Sequence, residues 1–415
     1  MPPPTEPTTK DRREKIQPRS CRFCGKKGNV IARNIALPTG SFFLFGPRGT
    51  GKSTWVEAAL PKALRVDLLR ESTFAELAGH ADRLEAMADG QGASTIILDE
   101  VQKLPSILDE VHRLIERRHF RFALTGSSAR KLRRSGANLL AGRAQTLTMH
   151  PFAASELGAG FDIKRAVRWG MLPTVWTGSD PEAYLRGYVG TYLREEVQQE
   201  AMVRNIGSFS RFLEAASFSQ AAVLNVQTVA ADCAINRKTV ENHFDLLEDL
   251  LLAVRVPVFR RRAARKLTAH PKFFFFDAGV FRALRPRGPL DSDDEVDGAA
   301  IETLVFECLR AENANHGLGY QIFYWRTMTG AEVDFVLYGE RGLHAFEVKR
   351  SSVFRESDLD GLRLFCADYP SAKGHLFYGG TKRYRFDAID VVSIGEGLST
   401  LREVLGGKRL SKRGR

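Results

Sequence analysis

The stretch FLFGPRGTGKST, residues 43–54, decides how the first third of this chain is read. An apolar run stops at Gly46, and a loop with two further glycines ends in Gly51-Lys52-Ser53-Thr54. The spacing is G-x-x-x-x-G-K-[ST]. Glycines let backbone N–H groups turn inward and approach an anion without a Cβ in the way. A helix starting at Lys52 would point its positive end at that anion. The expected ligand is therefore a nucleotide, with Gly46, Pro47, Arg48, Gly49, Thr50, Gly51, Lys52, Ser53 and Thr54 as its cradle. Lys52 would reach the β- and γ-phosphates, and Ser53 would coordinate Mg²⁺.

The surrounding pattern agrees. Strand-like runs at 41–46, 63–69, 94–100 and 120–127 alternate with helix-like stretches, which predicts a parallel sheet covered by helices. The third run, STIILDE, ends in Asp99 and Glu100. Two acids about fifty residues after a phosphate loop fit a water-mediated Mg²⁺ contact (Asp99) and a group that orients the attacking water (Glu100). The fourth run ends LTGSSARKLRR. Ser127 is positioned either to sense the γ-phosphate or simply to cap the next helix. Arg143, in LLAGRAQ, and Arg134 are the candidates for an arginine that neutralises transition-state charge.

The segment from Gly46 to Phe152 resembles the AAA-type ATPases of bacteria and archaea. The resemblance rests on GPRGTGKST, IILDEVQKLP, ALTGSSARKL, the AGR at 141–143 and the MHPF at 149–152. GMLP (170–173) and YVGTYLREEV (188–197) match the GxxP segment and the YLR-rich helix that often follow in such proteins, ahead of a C-terminal region of undefined function. The resemblance implies the ATPase fold and ATP binding. It also leaves room for a homo-oligomer, because hydrolysis in such ATPases often draws on a neighbour's arginine.

Residues 226–250 read as helix, short turn, helix, followed by strands at 251–259 and 272–277 around a basic loop. That is the winged-helix order. Asn236, Arg237, Lys238 and Thr239 open the second helix, the end that enters the major groove in such modules. Arg255 to Lys272 holds seven Lys/Arg and no acid, which suits backbone contacts to DNA. Winged helices also bind proteins, and Asp245, Glu248 and Asp249 make the later helix face acidic.

DSDDEVDG (291–298) reads as a turn-prone acidic linker. A helix (299–313), strands at 320–326, 332–338 and 343–349, a helix near 356–367 and a strand at 374–378 follow. Glu302, Asp334, Glu347 and Lys349 form a pattern that resembles the PD-(D/E)XK nuclease core. Residues i and i+2 of a strand share a face, so Glu347 and Lys349 would project together beside Asp334. Asp334 and Glu347 would hold Mg²⁺, which activates water, and Lys349 would help deprotonate or position that water. An acid-x-Lys pair is equally at home in a cross-strand ion pair on a half-exposed strand.

The chain has 415 residues, 43% hydrophobic and 27% charged, enough for two or three globular units. The expected units are a basic leader (1–34), an ATPase domain (35–165), a helical and winged-helix region (166–290), a nuclease-like domain (291–400) and a basic tail (401–415). The net charge of +12 sits almost wholly in the leader and tail, which would add salt-sensitive affinity for nucleic acid. No apolar run nears the roughly 18 residues that cross a bilayer. Five cysteines with no export signal fit a cytoplasmic setting. The Cys21/Cys24 pair is too few ligands for structural zinc. Three functions fit this chain, the least specific being nucleotide binding alone. One is an Mg²⁺-dependent ATPase that drives a DNA-acting, nuclease-like module. Another is a nucleotide-gated regulator whose nuclease-like part is an inactive scaffold.

Overall fold

The computed structural model describes residues 31–134, 140, 142–193, 197, 205–263, 265–289 and 291–406. The Cys21/Cys24 pair, most of the expected leader and the end of the expected tail lie outside the described residues.

Five described strands form the first sheet: β1 (Ser41–Phe45), β2 (Leu64–Asp67), β3 (Thr95–Asp99), β4 (Arg121–Gly126) and β5 (Ala144–Thr148). They are parallel, in the order β2-β3-β4-β1-β5. Alternation along β1 shows why helices cover both faces. Phe42 and Leu44 pack with Val56, Ile97 and Met149, while Phe43 and Phe45 pack with Leu98, Val111 and Leu124. β5 was not among the expected strands. AQTLT is half-exposed, so it lacks the continuous apolar run that marks a strand buried on both faces. Pairing with the edge of β1 makes it a strand.

The middle region is mostly helical. After the helices Ile163–Trp169, Pro173–Thr177 and Pro181–Gly187 come the helix Ile206–Ser217, β6 (Ala222–Val223), the helices Val226–Asp232 and Arg237–Asp249, and strands β7 (Ala253–Val256) and β8 (Lys272–Phe275). The three strands form an antiparallel sheet in the order β6-β8-β7.

Residues 291–298 are not a linker. The helix Asp293–Asn315 begins inside them. Asp293, Asp294 and Glu295 fill its first turn, where the positive end of the helix favours acids. The same acids made the segment look like a solvated turn in sequence. This helix is buried along much of its length and joins a core that runs from Phe152 to Leu405. The middle and C-terminal parts therefore share one apolar interior.

The C-terminal sheet is mixed. Its described strands run β13-β14-β12-β11-β10-β9, comprising β9 (Gln321–Arg326), β10 (Glu332–Gly339), β11 (Gly342–Lys349), β12 (Ala372–Tyr378), β13 (Tyr384–Phe386) and β14 (Ile389–Ser393). The last described helix, Ile394–Val404, buries Leu398 and Leu401. The first residues of the expected basic tail thus belong to the packed domain. Residues 31–34 are likewise pinned: the Arg33 guanidinium donates to Glu156, the Thr50 carbonyl and the His150 carbonyl at 2.7–3.0 Å.

The basic loop between β7 and β8 does not project as a free wing. Phe259 N–H donates to the Tyr324 carbonyl at 2.7 Å, Thr268 N–H to the Arg326 carbonyl at 3.1 Å, and Phe259 is buried in the C-terminal core. The loop lines the open edge of β9, where unpaired backbone groups seek partners.

Candidate functional site

Gly49 and Gly51 have φ of +83° and +87°, a region that other residues rarely enter. These turns carry β1 into the helix Lys52–Ala59. Lys52 is buried, and its ammonium donates to the carbonyls of Gly46 (2.7 Å) and Pro47 (3.1 Å). Thr50 is buried, with its hydroxyl on the Pro47 carbonyl at 2.8 Å. Thr54 is exposed.

Parallel pairing brings the ends of β1, β3 and β4 to the same edge. Ser53 Oγ donates to Asp99 Oδ1 at 3.2 Å, and the Thr125 hydroxyl donates to the same oxygen. Arg65 Nη2 reaches Asp99 Oδ2 at 3.3 Å. Mg²⁺ bound with a nucleotide takes one or two protein oxygens and fills its octahedron with phosphate oxygens and water. The donor set of Ser53 and Asp99 fits that requirement.

Glu100 follows at φ +59°, an uncommon conformation for this residue type. The Gln102 side-chain amide donates both to Glu100 and to Ser127 Oγ, the latter at 3.3 Å. Gln102 thus bridges the two residues that sequence had singled out separately. Neither Gln102 nor Thr125 was visible as a site residue in sequence. Their roles depend on strand adjacency.

The loop is also gripped from the middle region. Tyr188 Oη donates to the Arg48 carbonyl at 3.1 Å, and the Arg48 guanidinium lies 4.8 Å from the centre of the Tyr192 ring. Gly170 and Pro173 explain the GMLP stretch. Gly170, at φ +77°, lies against the Asp277 carboxylate, and Pro173 starts the helix that faces Gly51.

Arg143 is elsewhere. It ion-pairs with Glu116 and immediately precedes β5, where Ala144 pairs with Ser41. That is the opposite edge of the sheet from Gly46, about 16 Å along β1 at strand rise. Arg143 therefore stands far from the nucleotide loop of its own chain. Arg134 ends the short helix Arg130–Arg134, and its side chain lies outside the described residues.

Glu302 of the helix Asp293–Asn315 comes together with Asp334 of β10 and with Glu347 and Lys349 of β11. Lys349 Nζ donates to Glu347 Oε1 at 2.6 Å, and Asp334 Oδ2 accepts the Val348 N–H at 2.9 Å. Burial, reinforced by Asp334, pushes the Glu302 carboxyl up to about 8 and raises Glu347 well above the usual carboxylate range. An unexpected fifth group is present. Lys272 of β8 lies among these acids, with Nζ 3.0 Å from Asp334 Oδ1 and 3.6 Å from Glu302 Oε2, and it also pairs with Glu332. Burial works against its charge, but Asp334, Glu302 and Glu332 outweigh that and raise its pKa well above the ordinary lysine value. Among the described residues, no group of three or more His, Cys, Asp or Glu side chains is arranged to hold a metal ion.

Asn236, Arg237, Lys238 and Thr239 are exposed, with Asn236 capping the helix through the Lys238 N–H. Arg255 binds Asp245 and Glu248 and so offsets the acidic later face. In the basic loop, Arg260 donates to the Thr268 carbonyl, Arg261 to Gln321 and Arg265 to Asp368. No described helix is long and apolar enough to cross a membrane.

Comparison with known proteins follows the same tripartite division. Residues 39–158 match an AAA domain, 160–291 a domain of unknown function (DUF8612), and 297–396 a second domain of unknown function (DUF4143). Two uncharacterized mycobacterial proteins, Rv2008c of Mycobacterium tuberculosis and Mb2031c of Mycobacterium bovis, are each 24% identical over 348 residues, 82% of this chain and 77% of theirs. The crystal structure of protein VC1899 from Vibrio cholerae aligns with 75% of this chain and 90% of its own at 12% identity. Its TM-score of 0.21 is too low to support a structural argument. The loop, the parallel sheet and the AAA match agree: residues 39–158 form a nucleotide-binding domain of the P-loop NTPase superfamily.

Proposed function

We propose that this chain is an Mg²⁺-dependent, AAA-type ATPase of the cytoplasm whose nucleotide state controls the two units that follow, near 166–290 and 291–400, on DNA. The carrying observation is the meeting of Ser53, Asp99, Glu100, Gln102 and Ser127 at one sheet edge beside the loop 46–54. In this reading ATP phosphates enter the cradle and draw Lys52 away from the Gly46 and Pro47 carbonyls. Ser53 and Asp99 would hold Mg²⁺, Glu100 would orient water, and Ser127 would report the γ-phosphate through Gln102. Arg143 serves a neighbouring copy in a homo-oligomer, since its own loop is at the other sheet edge.

The helix–strand–helix–helix–strand–strand order supports a winged helix, and the exposed Asn236–Thr239 end supports DNA contact there. The basic tails would add backbone affinity. The decisive experiment is ATP hydrolysis with and without duplex DNA, in wild type and Lys52→Ala. Turnover that DNA raises and Lys52→Ala abolishes is expected. Turnover that persists in Lys52→Ala removes the nucleotide assignment, and turnover indifferent to DNA removes the DNA one.

One observation favours the second reading, a nucleotide-gated regulator with an inactive nuclease-like scaffold: a lysine already stands among the acids that would hold metal.

A further inference from the structure

Lys272 comes from the middle region, yet its ammonium ends inside the C-terminal unit. Its side chain is 4% exposed. The position is enforced by the fold. Lys272 begins β8, the central strand between β6 and β7, and its backbone is paired with Val223 on one side and Val256 on the other. Phe273, Phe274 and Phe275 are fully buried behind it. The Tyr324 ring lies 5.7 Å from Nζ, and that tyrosine's hydroxyl is held by the His270 carbonyl. The acids, the strand and the Tyr324 ring leave the ammonium almost no exposure to solvent.

The acids do not fit a divalent ion while Lys272 is there. Asp334 uses Oδ1 on Lys272 and Oδ2 on the Val348 N–H. Glu347 uses Oε1 on Lys349. Mg²⁺ demands a near-octahedral shell and keeps several waters, and a fixed ammonium about 3 Å from the central carboxylate oxygen takes that space and repels a second cation. At the same time Glu347, 7% exposed, and Glu302 each keep a buried Oε2 without a hydrogen-bond partner. Buried carboxylate oxygens that lack a hydrogen bond but gather around an ammonium, as Glu302 Oε2 does at 3.6 Å, mark a cation pocket rather than a chance surface pair.

We propose that Lys272 is the resident cation of this pocket. The acids that a metal-dependent nuclease devotes to a divalent ion hold a lysine of β8 instead, which excludes the metal and fastens the middle region to the C-terminal unit. This rests on the nuclease-like reading of that unit and not on nucleotide binding, so a metal titration and an ATPase assay fail separately.

The test is Mn²⁺ titration of the full, nucleotide-free chain, followed by the loss of the free-ion electron paramagnetic resonance signal. Wild type and Glu347→Gln should deplete Mn²⁺ equally up to about a millimolar. A wild-type site that Glu347→Gln removes overturns the proposal. Lys272→Met, which keeps an unbranched apolar stem, should gain one site at least about tenfold tighter than any in wild type, lost again in Lys272→Met/Glu347→Gln. A Lys272→Met chain with native far-ultraviolet circular dichroism and no gained site also overturns it. If that variant does not fold, the comparison of wild type with Glu347→Gln decides alone.

Discussion

Arg130 Nη1 donates to Asp249 Oδ2 at 2.7 Å, joining the segment that follows β4 to the helix Arg237–Asp249. The arginine side chain is 5% exposed and the aspartate 43%. Arg130 lies three residues after Ser127. Asp249 ends a helix of 13 residues whose other end presents Asn236 and Arg237. A helix of that length is about 20 Å long. Under the proposed function, a shift near Ser127 would reach the Asn236 end of that helix through this contact.

Asp249→Ala should separate coupling from nucleotide affinity. Leaving a buried guanidinium without this carboxylate should cost about 1–3 kcal/mol, below the value for a fully buried pair because Asp249 is half in solvent. ATP affinity should remain, while any effect of DNA on turnover should fall toward zero. Denaturant melts and DNA-titrated ATPase rates measure the two. Full retention of the DNA effect would rule out this route.

Lys52→Ala should abolish nucleotide binding measured by calorimetry. Glu100→Gln should bind ATP with near wild-type affinity and turn it over at least about a hundredfold more slowly, the scale of lost acid–base positioning.

Gln102→Ala tests the bridge between Glu100 and Ser127. Its amide holds the Glu100 carboxylate in place, so kcat should fall by about tenfold or more while KM stays within a small factor. A change confined to KM would show that the amide serves substrate binding.

Gly170→Ala should be among the most damaging single changes in the middle region. A Cβ there would lie 2.0 Å from Asp277 Oδ1, on a backbone with φ of +77°. Asp277 is buried, accepts the N–H groups of Met171, Gly279 and Val280, and has its carboxyl pushed up by burial to about 6. Loss of about 3 kcal/mol or failure to fold is expected. Thermal melting within a degree of wild type would refute the packing account of the GMLP stretch.

His344 and His375 stack in the C-terminal sheet, with ring nitrogens 3.2 Å apart. Burial holds them neutral, with pKa lowered to about 4 and about 3. The unfolded chain protonates near 6.5, so between these values it binds more protons than the folded one. Their stabilisation is full above pH 6.5 and is lost as pH falls, by about 2 kcal/mol per histidine at pH 5. Buried carboxyls such as Glu302 act in the opposite sense, so the difference between wild type and His375→Gln is the proper readout. The variant should lose less stability between pH 7 and pH 5.

Most of the candidate nucleotide site was legible in the sequence because its parts are local. Gly46 to Thr54 is one loop, and Asp99 and Glu100 end one apolar run. Glu347 and Lys349 share a face because a strand alternates with period two. The acidic segment 291–298 was misread because acids favour both solvated turns and helix starts, and only the buried residues downstream distinguish them. β5 was missed because an edge strand need not be apolar.

By itself, then, the sequence determined what short-range geometry can determine: a glycine-rich loop ahead of a helix, a β-α alternation, two successive helices in the middle region and the two C-terminal strands that bear acids. Tertiary structure decided which distant groups meet. Lys272 and Asp334 are 62 positions apart, and Arg130 and Asp249 are 119 apart. The far-edge placement of Arg143 follows from how β5 pairs with β1. Strand order and the packing of one unit on another set these encounters, and the free energy that fixes them is buried apolar area, which is summed over the whole core and carries no local signature along the chain.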